Sequence, residues 1–325
     1  MENCVYHYCS LDTFVKIMTN KTLRSSDCSK TNDSAEIKWL TRSVQKYVEE
    51  YILADDELCE HIKMDDSKKT ITRDNVDTVL NGVFFKNSRM MFTLVTCFSE
   101  AKDLLSQWRG YANDGNGIAI GFSKEHLMTF DSGGYKYHFK KIEYDEELQF
   151  DSVKKALNNL INSYKTSEFQ EKIFEEFLQD LLVYISCLRN DSPMYKNSSF
   201  SEEQEWRLIT DVYISDVLNC SKNNDYNELC DIDSVDEDFS ISSKLPNGFI
   251  RRPVQFAVNK NRIVPYFDLD FSKIRNGFVK EIIIGSKCDI SEKDMELFLS
   301  ASGYEVANLN NGTGIKIIPS KCTYR

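Results

Sequence analysis

The sequence predicts an α+β fold. Short β-prone runs at residues 5–9, 90–98, 118–122, 139–144, 205–210, 280–285 and 314–318 alternate irregularly with stretches of helical apolar spacing, clearest at 37–52 and 169–188. The chain is 41% hydrophobic and 28% charged, ordinary for a globular protein, and its many Phe and Tyr residues argue against disorder over most of its length.

The elements follow in order. Residues 11–19 carry Leu11, Phe14, Val15, Ile17 and Met18 at helical spacing, with Ser10 or Asp12 as cap. Residues 25–35 read as a polar loop. Ile37, Leu40, Val44, Tyr47, Val48, Tyr51 and Ile52 then mark an amphipathic helix, and 54–75 read as loop-rich. After the strand at 90–98 come a short helix at 103–111, a turn at 113–117 and the strand at 118–122. Two helices, 153–164 and 169–188, fill the middle. Residues 223–243 hold seven acidic side chains and no basic one, which predicts an exposed loop. A helix at 291–300 precedes the last strand. Without a repeat or a sharp break in composition, the expectation is one domain over 1–325, with a helical insertion near 151–192 and the acidic loop near 223–243.

Composition narrows the function classes. The net charge of −11 argues against a broad basic face for nucleic acid, leaving at most a local groove of a few placed Arg and Lys. No apolar run approaches the length of a membrane span, and the N-terminus lacks a basic-then-apolar leader, so the expected location is cytoplasmic, with no membrane partner. Ten cysteines without a Cys-x-x-Cys pair read as reduced thiols, and His7, His61, His126 and His138 supply no metal-ligand spacing. Phosphate-loop and dinucleotide-binding glycine motifs are missing, as is a nucleophile elbow.

Three segments are richer than folding requires. In Tyr6-His7-Tyr8-Cys9-Ser10-Leu11, a histidine and a hydroxyl can meet one ligand, although a satisfied structural histidine is the plainer account. In Leu105-Ser106-Gln107-Trp108-Arg109-Gly110-Tyr111, the aromatic residues can stack on a flat ring and Arg109 can hold a phosphate; a helix packed by its aromatics is the alternative. In Phe200 to Arg207, Glu203 and Glu205 stand on alternate residues, which in an extended chain point to the same side; a solvated acidic turn is the alternative.

These segments resemble the bacterial DUF2971 family, whose members run Tyr-His-Tyr-Thr/Ser, Asn-Asp, Cys-Phe-Ser, Trp-x-x-Tyr, Phe-x-x-Glu-x-Glu-Trp-Arg and a closing Tyr-Arg. The matching residues are Tyr6-His7-Tyr8-Cys9-Ser10, Asn32-Asp33, Cys97-Phe98-Ser99, Trp108 to Tyr111, Phe200 to Arg207, Ile282-Ile283-Ile284-Gly285 and Tyr324-Arg325. The opening His-x-x-Ser further resembles ADP-ribosyltransferases of the DNA/RNA-modifying and poly-ADP-ribose-polymerase kinds. That resemblance implies a split β-sheet core with helical insertions and NAD as substrate. It also implies Glu205 or Glu203 as the carboxylate that stabilises an oxocarbenium-like transition state.

By the same resemblance His7 and Ser10 contact NAD, with Arg24, Trp108, Arg109, Tyr111 and Arg207 among the binding residues. Gly115-Asn116-Gly117-Ile118 resembles the Gly-x-Gly-Ile before the polymerases' stacking tyrosine, but Ala119 stands where that tyrosine would be. Tyr111 or Trp108 would then supply the aromatic face. The implied activity is ADP-ribosyl transfer to a nucleic acid or protein, in the manner of a toxin or phage-defence effector, or NAD hydrolysis. A ligand- or partner-binding protein with a decayed site is the main alternative. A metal-dependent nuclease using Asp33, Glu36, Glu203 and Glu205 is the third, though no Glu-x-Lys pairing accompanies it.

Overall fold

A computed structural model describes residues 3–30, 36–55, 58, 74, 77–79, 91–129, 137–165, 174–213, 250–251, 254–259, 261–272, 274, 277–307 and 313–323. The acidic stretch at 223–243 and Asn32-Asp33 lie outside them. Cys4–Ser10 form β1, Leu11–Asn20 α1 and Thr22–Asp27 β2. Glu36–Tyr47 form α2, Met91–Ser99 β3, Leu105–Tyr111 α3 and Gly117–Ser123 β4. Lys124–Met128 form α4, His138–Lys141 β5, Glu146–Lys165 α5 and Phe174–Asp191 α6. Then come β6 (Glu205–Tyr213), β7 (Ile250–Arg251), β8 (Gln255–Asn259), β9 (Arg262–Asp270) and β10 (Val279–Ile284). Helix α7 (Glu292–Ala301) and β11 (Lys316–Pro319) close the chain.

The protein is a mixed α+β fold whose residues gather into two compact units, one of 1–28, 93–142 and 201–325, the other of 29–92 and 143–200. In the second unit, α5 buries Val153, Leu157, Leu160, Ile161 and Tyr164 along one stripe. Its core also takes Leu40, Val44 and Tyr47 from α2 and Phe177, Leu181 and Ile185 from α6. The helices expected near 151–192 are these two, α5 and α6.

Among the described residues, the first unit holds one eleven-stranded sheet, antiparallel except where β11 runs beside β10. Its order is β11-β10-β4-β1-β3-β2-β9-β7, with β6 against β3, β5 against β6, and β8 against β9. The sheet forks at β3. Strand β1 meets it through Tyr6 and Ser99, whereas β2 meets it lower down through Ser26–Val95 and Asp27–Leu94. Strand β6 touches both ends of β3, through Glu100 N to Gln204 O and Thr93 Oγ1 to Asp211 Oδ1, so β1 and β2 divide the other edge between them.

Side chains alternate across this sheet. Val5 and Cys9 of β1, Ile118, Ile120 and Phe122 of β4, Ile282 and Ile284 of β10, Phe98 and Leu208 pack with Phe14, Ile17 and Met18 of α1 and Met295 and Leu299 of α7. Tyr6, Tyr8, Ala119 and Ile283 lie on the opposite face, with Trp108 and Ala112.

One element, β2, differs from expectation, and the β8–β9 hairpin had no counterpart among the expected elements. Residues 22–27, assigned in part to a polar loop, form β2; its Ser25, Ser26 and Asp27 give no apolar alternation. The hairpin of β8 and β9 is stranded despite Pro265, which pairs opposite Phe256.

Candidate functional site

His7 leaves β1 on the apolar face, its ring edge-on to Phe98 at 6.0 Å. It stands where β1 and β3 part, and its Nδ1 lies 3.0 Å from Cys97 O. A carbonyl only accepts, so Nδ1 carries the proton, and the imidazole fills a place a neighbouring strand's N–H would otherwise take. Burial lowers the His7 pKa, against the raising effect of the Cys97 bond, so the ring is neutral. Ser10 caps α1: its hydroxyl accepts from Thr13 N at 3.2 Å and donates to Thr13 Oγ1 at 3.0 Å. Both residues are thus engaged in holding the fold.

Trp108 is 1% exposed. Its ring meets Tyr8 edge-on at 4.9 Å, and its indole N–H donates to Asp103 Oδ1 at 2.6 Å. Asp103 also takes the Ser320 hydroxyl at 2.7 Å and Lys321 N at 2.6 Å, tying the C-terminal segment to α3. Burial pushes the Asp103 carboxyl up, but these bonds outweigh it and hold its pKa below the ordinary value. The expectation that Trp108 offers a stacking face is therefore corrected, because both its faces and its polar edge are packed.

Glu203 and Glu205 do not share a side. Gln204 between them has φ +47, a left-handed turn that ends the extended run, and β6 begins only at Glu205. Glu203 turns outward. Tyr111, 39% exposed at the end of α3, donates its hydroxyl to Glu203 Oε1 at 3.0 Å, and Ser99 Oγ holds the Glu203 carbonyl at 2.7 Å. Arg109 is exposed on the same helix. The second and third sequence segments therefore meet at Tyr111 and Glu203, as the first and second do at Tyr8 and Trp108.

Glu205 and Arg207, two residues apart on β6, form a buried bidentate pair. Arg207 Nε donates to Glu205 Oε1 at 2.7 Å and Nη2 to Oε2 at 3.1 Å. The residue between them, Trp206, stacks on Phe139, which is edge-on to Phe98, the ring that His7 also meets. Alternation then puts Glu205 and Arg207 on the face opposite His7. His7 and Glu205, which the resemblance assigns to one NAD molecule, therefore do not face a common pocket. Arg24, exposed on β2, lies 3.7 Å over the Tyr266 ring.

Reasoning from sequence missed two features. On the polar face, β10, β4 and β1 put Glu281, Gly121 and Tyr6 in one row. Tyr6 donates to Glu281 Oε1 at 2.5 Å and Lys102 Nζ to Oε2 at 2.7 Å. Position 121 must be glycine for this, since a methyl there would fall 2.7 Å from Glu281 Cγ and 3.1 Å from Tyr6 Cε1. The second is a cleft of about 920 Å³ whose lining includes Cys4, Lys21, Ser123, Phe278, Lys280 and Tyr304. None of the residues nominated from sequence lines it. The only sequence signal for it was three glycines, Gly277, Gly303 and Gly314, all at positive φ along its wall.

Among the described residues no group of three or more His, Cys, Asp or Glu is arranged to hold a metal. For the nuclease reading, Asp33 lies outside the described residues and Glu205 is held by Arg207. Among the described residues no helix is long and apolar enough to cross a membrane.

Neither the curated proteins nor the solved structures contain a match to this chain. The outer motifs, Tyr6 to Ser10, Cys97 to Ser99 and the closing Tyr324-Arg325, fall outside the family match, which is confined to the middle of the chain. That match covers residues 107–208, from the helix bearing Trp108 and Tyr111 to the strand bearing Glu205 and Arg207, and its family is described as "Protein of unknown function (DUF2971)".

Proposed function

We propose that this protein works by binding a small ligand, without the catalytic constellation of an ADP-ribosyltransferase. One observation carries the reading: both oxygens of Glu205 are held by Arg207, on the sheet face opposite His7. A carboxylate that steadies a developing oxocarbenium ion acts through uncompensated charge beside the sugar. Glu205 has neither the free charge nor the company of His7. Binding needs only a shaped concave surface with a few placed polar groups, and the cleft beside Lys21 and Lys280 supplies one. The test is nicotinamide release from NAD by the purified protein, with calorimetry for NAD binding. No release above buffer is expected, and sustained turnover would overturn the reading.

A second reading keeps NAD as substrate and moves the chemistry to Glu203, with Tyr111 as the aromatic face and a protein or nucleic acid as acceptor. It is favoured by the exposed Tyr111–Glu203 hydrogen bond. On this reading Glu203→Gln lowers nicotinamide release about a hundred- to a thousand-fold with circular dichroism unchanged, the usual effect of losing one such electrostatic contact.

A further inference from the structure

We propose that the cleft beside α1 and β10 binds a compact phosphorylated anion through Lys21 and Lys280; this deepens the ligand-binding reading above and rests on it. Lys21 follows α1 in the left-handed conformation, φ 52 and ψ 47, with its N–H bonded to Ile17 O. Its ammonium lies 5.2 Å from the centre of the Tyr304 ring, and Tyr304 is itself anchored by its hydroxyl to Met18 O at 3.1 Å. The Lys280 ammonium lies over Gly277, 3.0 Å from where a Cβ would stand. The Lys21 ammonium lies over Gly303 in the same way, at 3.7 Å. Both glycines have positive φ, so the turns beneath the two ammoniums are bare of side chains.

The charges around the cleft decide what it can take. Among the described residues neither Lys21 nor Lys280 has an ion-pair partner. This is notable in a chain with 51 acidic and 40 basic residues, where carboxylates are plentiful. Three glutamates and a further lysine, Lys316, also line the cleft. Glu281 is already compensated by Lys102 and bonded by Tyr6, so it does not oppose an anion. Glu125 and Glu305 are exposed. They disfavour a long polyanion, whose charges would run past them, more than a compact one seated between the two lysines. A lysine ammonium binds phosphate as a point charge, and a volume of about 920 Å³ suits a small molecule.

The experiment is calorimetry of the full chain with inorganic pyrophosphate, AMP and uncharged adenosine. AMP is expected to bind at least about tenfold tighter than adenosine, and to weaken as salt is raised. Lys280→Gln and Lys21→Gln should each weaken AMP about tenfold without moving the melting temperature. Glu305→Gln should tighten it a few-fold, an effect that a merely damaged fold would not give. Equal binding of AMP and adenosine, untouched by the lysine variants, overturns the anion assignment and leaves ligand binding standing. No binding of any probe by folded protein also overturns the anion assignment. Nicotinamide release from NAD overturns the binding reading itself, so the two failures are read separately.

Discussion

The two faces of the sheet are held by different physics. On one, Val5, Ile118, Ile120, Phe122, Ile282 and Ile284 bury apolar area under α1 and α7, and the helices' stripes match the strands' alternation. On the other, Tyr6, Glu281, Lys102, Asp103, Glu205 and Arg207 are satisfied in small polar groups. Apolar burial tolerates local change. A buried charge tolerates the loss of a partner poorly, because desolvation is then uncompensated. The polar face is also where most of the chemistry-like residues of the sequence fall. Their conspicuous types therefore reflect mutual pairing as readily as catalysis.

The sharpest way to break this comparison is Arg207→Ala. It strands the Glu205 carboxylate in a buried position, and an unfolding free energy lower by about 3–5 kcal/mol is expected in urea titrations. The double variant Glu205→Met/Arg207→Met should recover most of that loss, since apolar replacement of both partners is often neutral. A double variant as damaged as the single would show that the pair serves something beyond itself.

Gly121→Ala is the next test. The added methyl would crowd Glu281 Cγ at 2.7 Å, an atom that can move only by turning the side chain away from Tyr6 and Lys102. A loss of about 1–3 kcal/mol is expected, as for other overpacked positions. In a Glu281→Ala background the same change should cost much less. Equal costs in both backgrounds would mean that the row Glu281–Gly121–Tyr6 does not set the packing.

Legibility followed the same divide. The strand at 118–122, the helix at 11–19 with its Ser10 cap, and the strand at 280–285 were readable because each carries regular apolar spacing or a cap signal. Strand β2 was not, because its Ser25, Ser26 and Asp27 are polar yet enclosed by neighbouring strands. At the candidate site, the meeting of Tyr111 with Glu203 joins two segments picked out as conspicuous. What failed was facing. The left-handed turn at Gln204 broke the alternation assumed for Glu203 and Glu205, and nothing in the residue types announces it. The Glu205-Trp206-Arg207 spacing, by contrast, did hold a usable signal: opposite charges two apart on a strand share a face and can neutralise each other.

The smallest expected effect concerns acid. Glu100 accepts from Lys124 at 2.6 Å and from Lys141 at 2.8 Å, and these two bonds hold its pKa down at about 2, below an ordinary value of 4.5. A folded pKa below the unfolded one means that the unfolded chain takes up the proton first as pH falls. The stabilisation from Glu100 is then complete above about pH 4.5 and is lost progressively on the way down to about 2. Glu100 is about a third exposed, so water screens the pair and the contribution is held to about 1 kcal/mol or less. Other carboxylates titrate in the same range, so the quantity to measure is the difference between wild type and Glu100→Gln in urea midpoint from pH 7 to pH 2.5. That difference should be small and constant from pH 7 to 5 and shrink toward zero below 4. Lys124 also lies 4.3 Å over the Trp206 ring, which keeps it in place when Glu100 is removed. A difference that grows as pH falls would reverse the sign of the argument and show that Glu100 is protonated more easily in the folded chain than in the unfolded one.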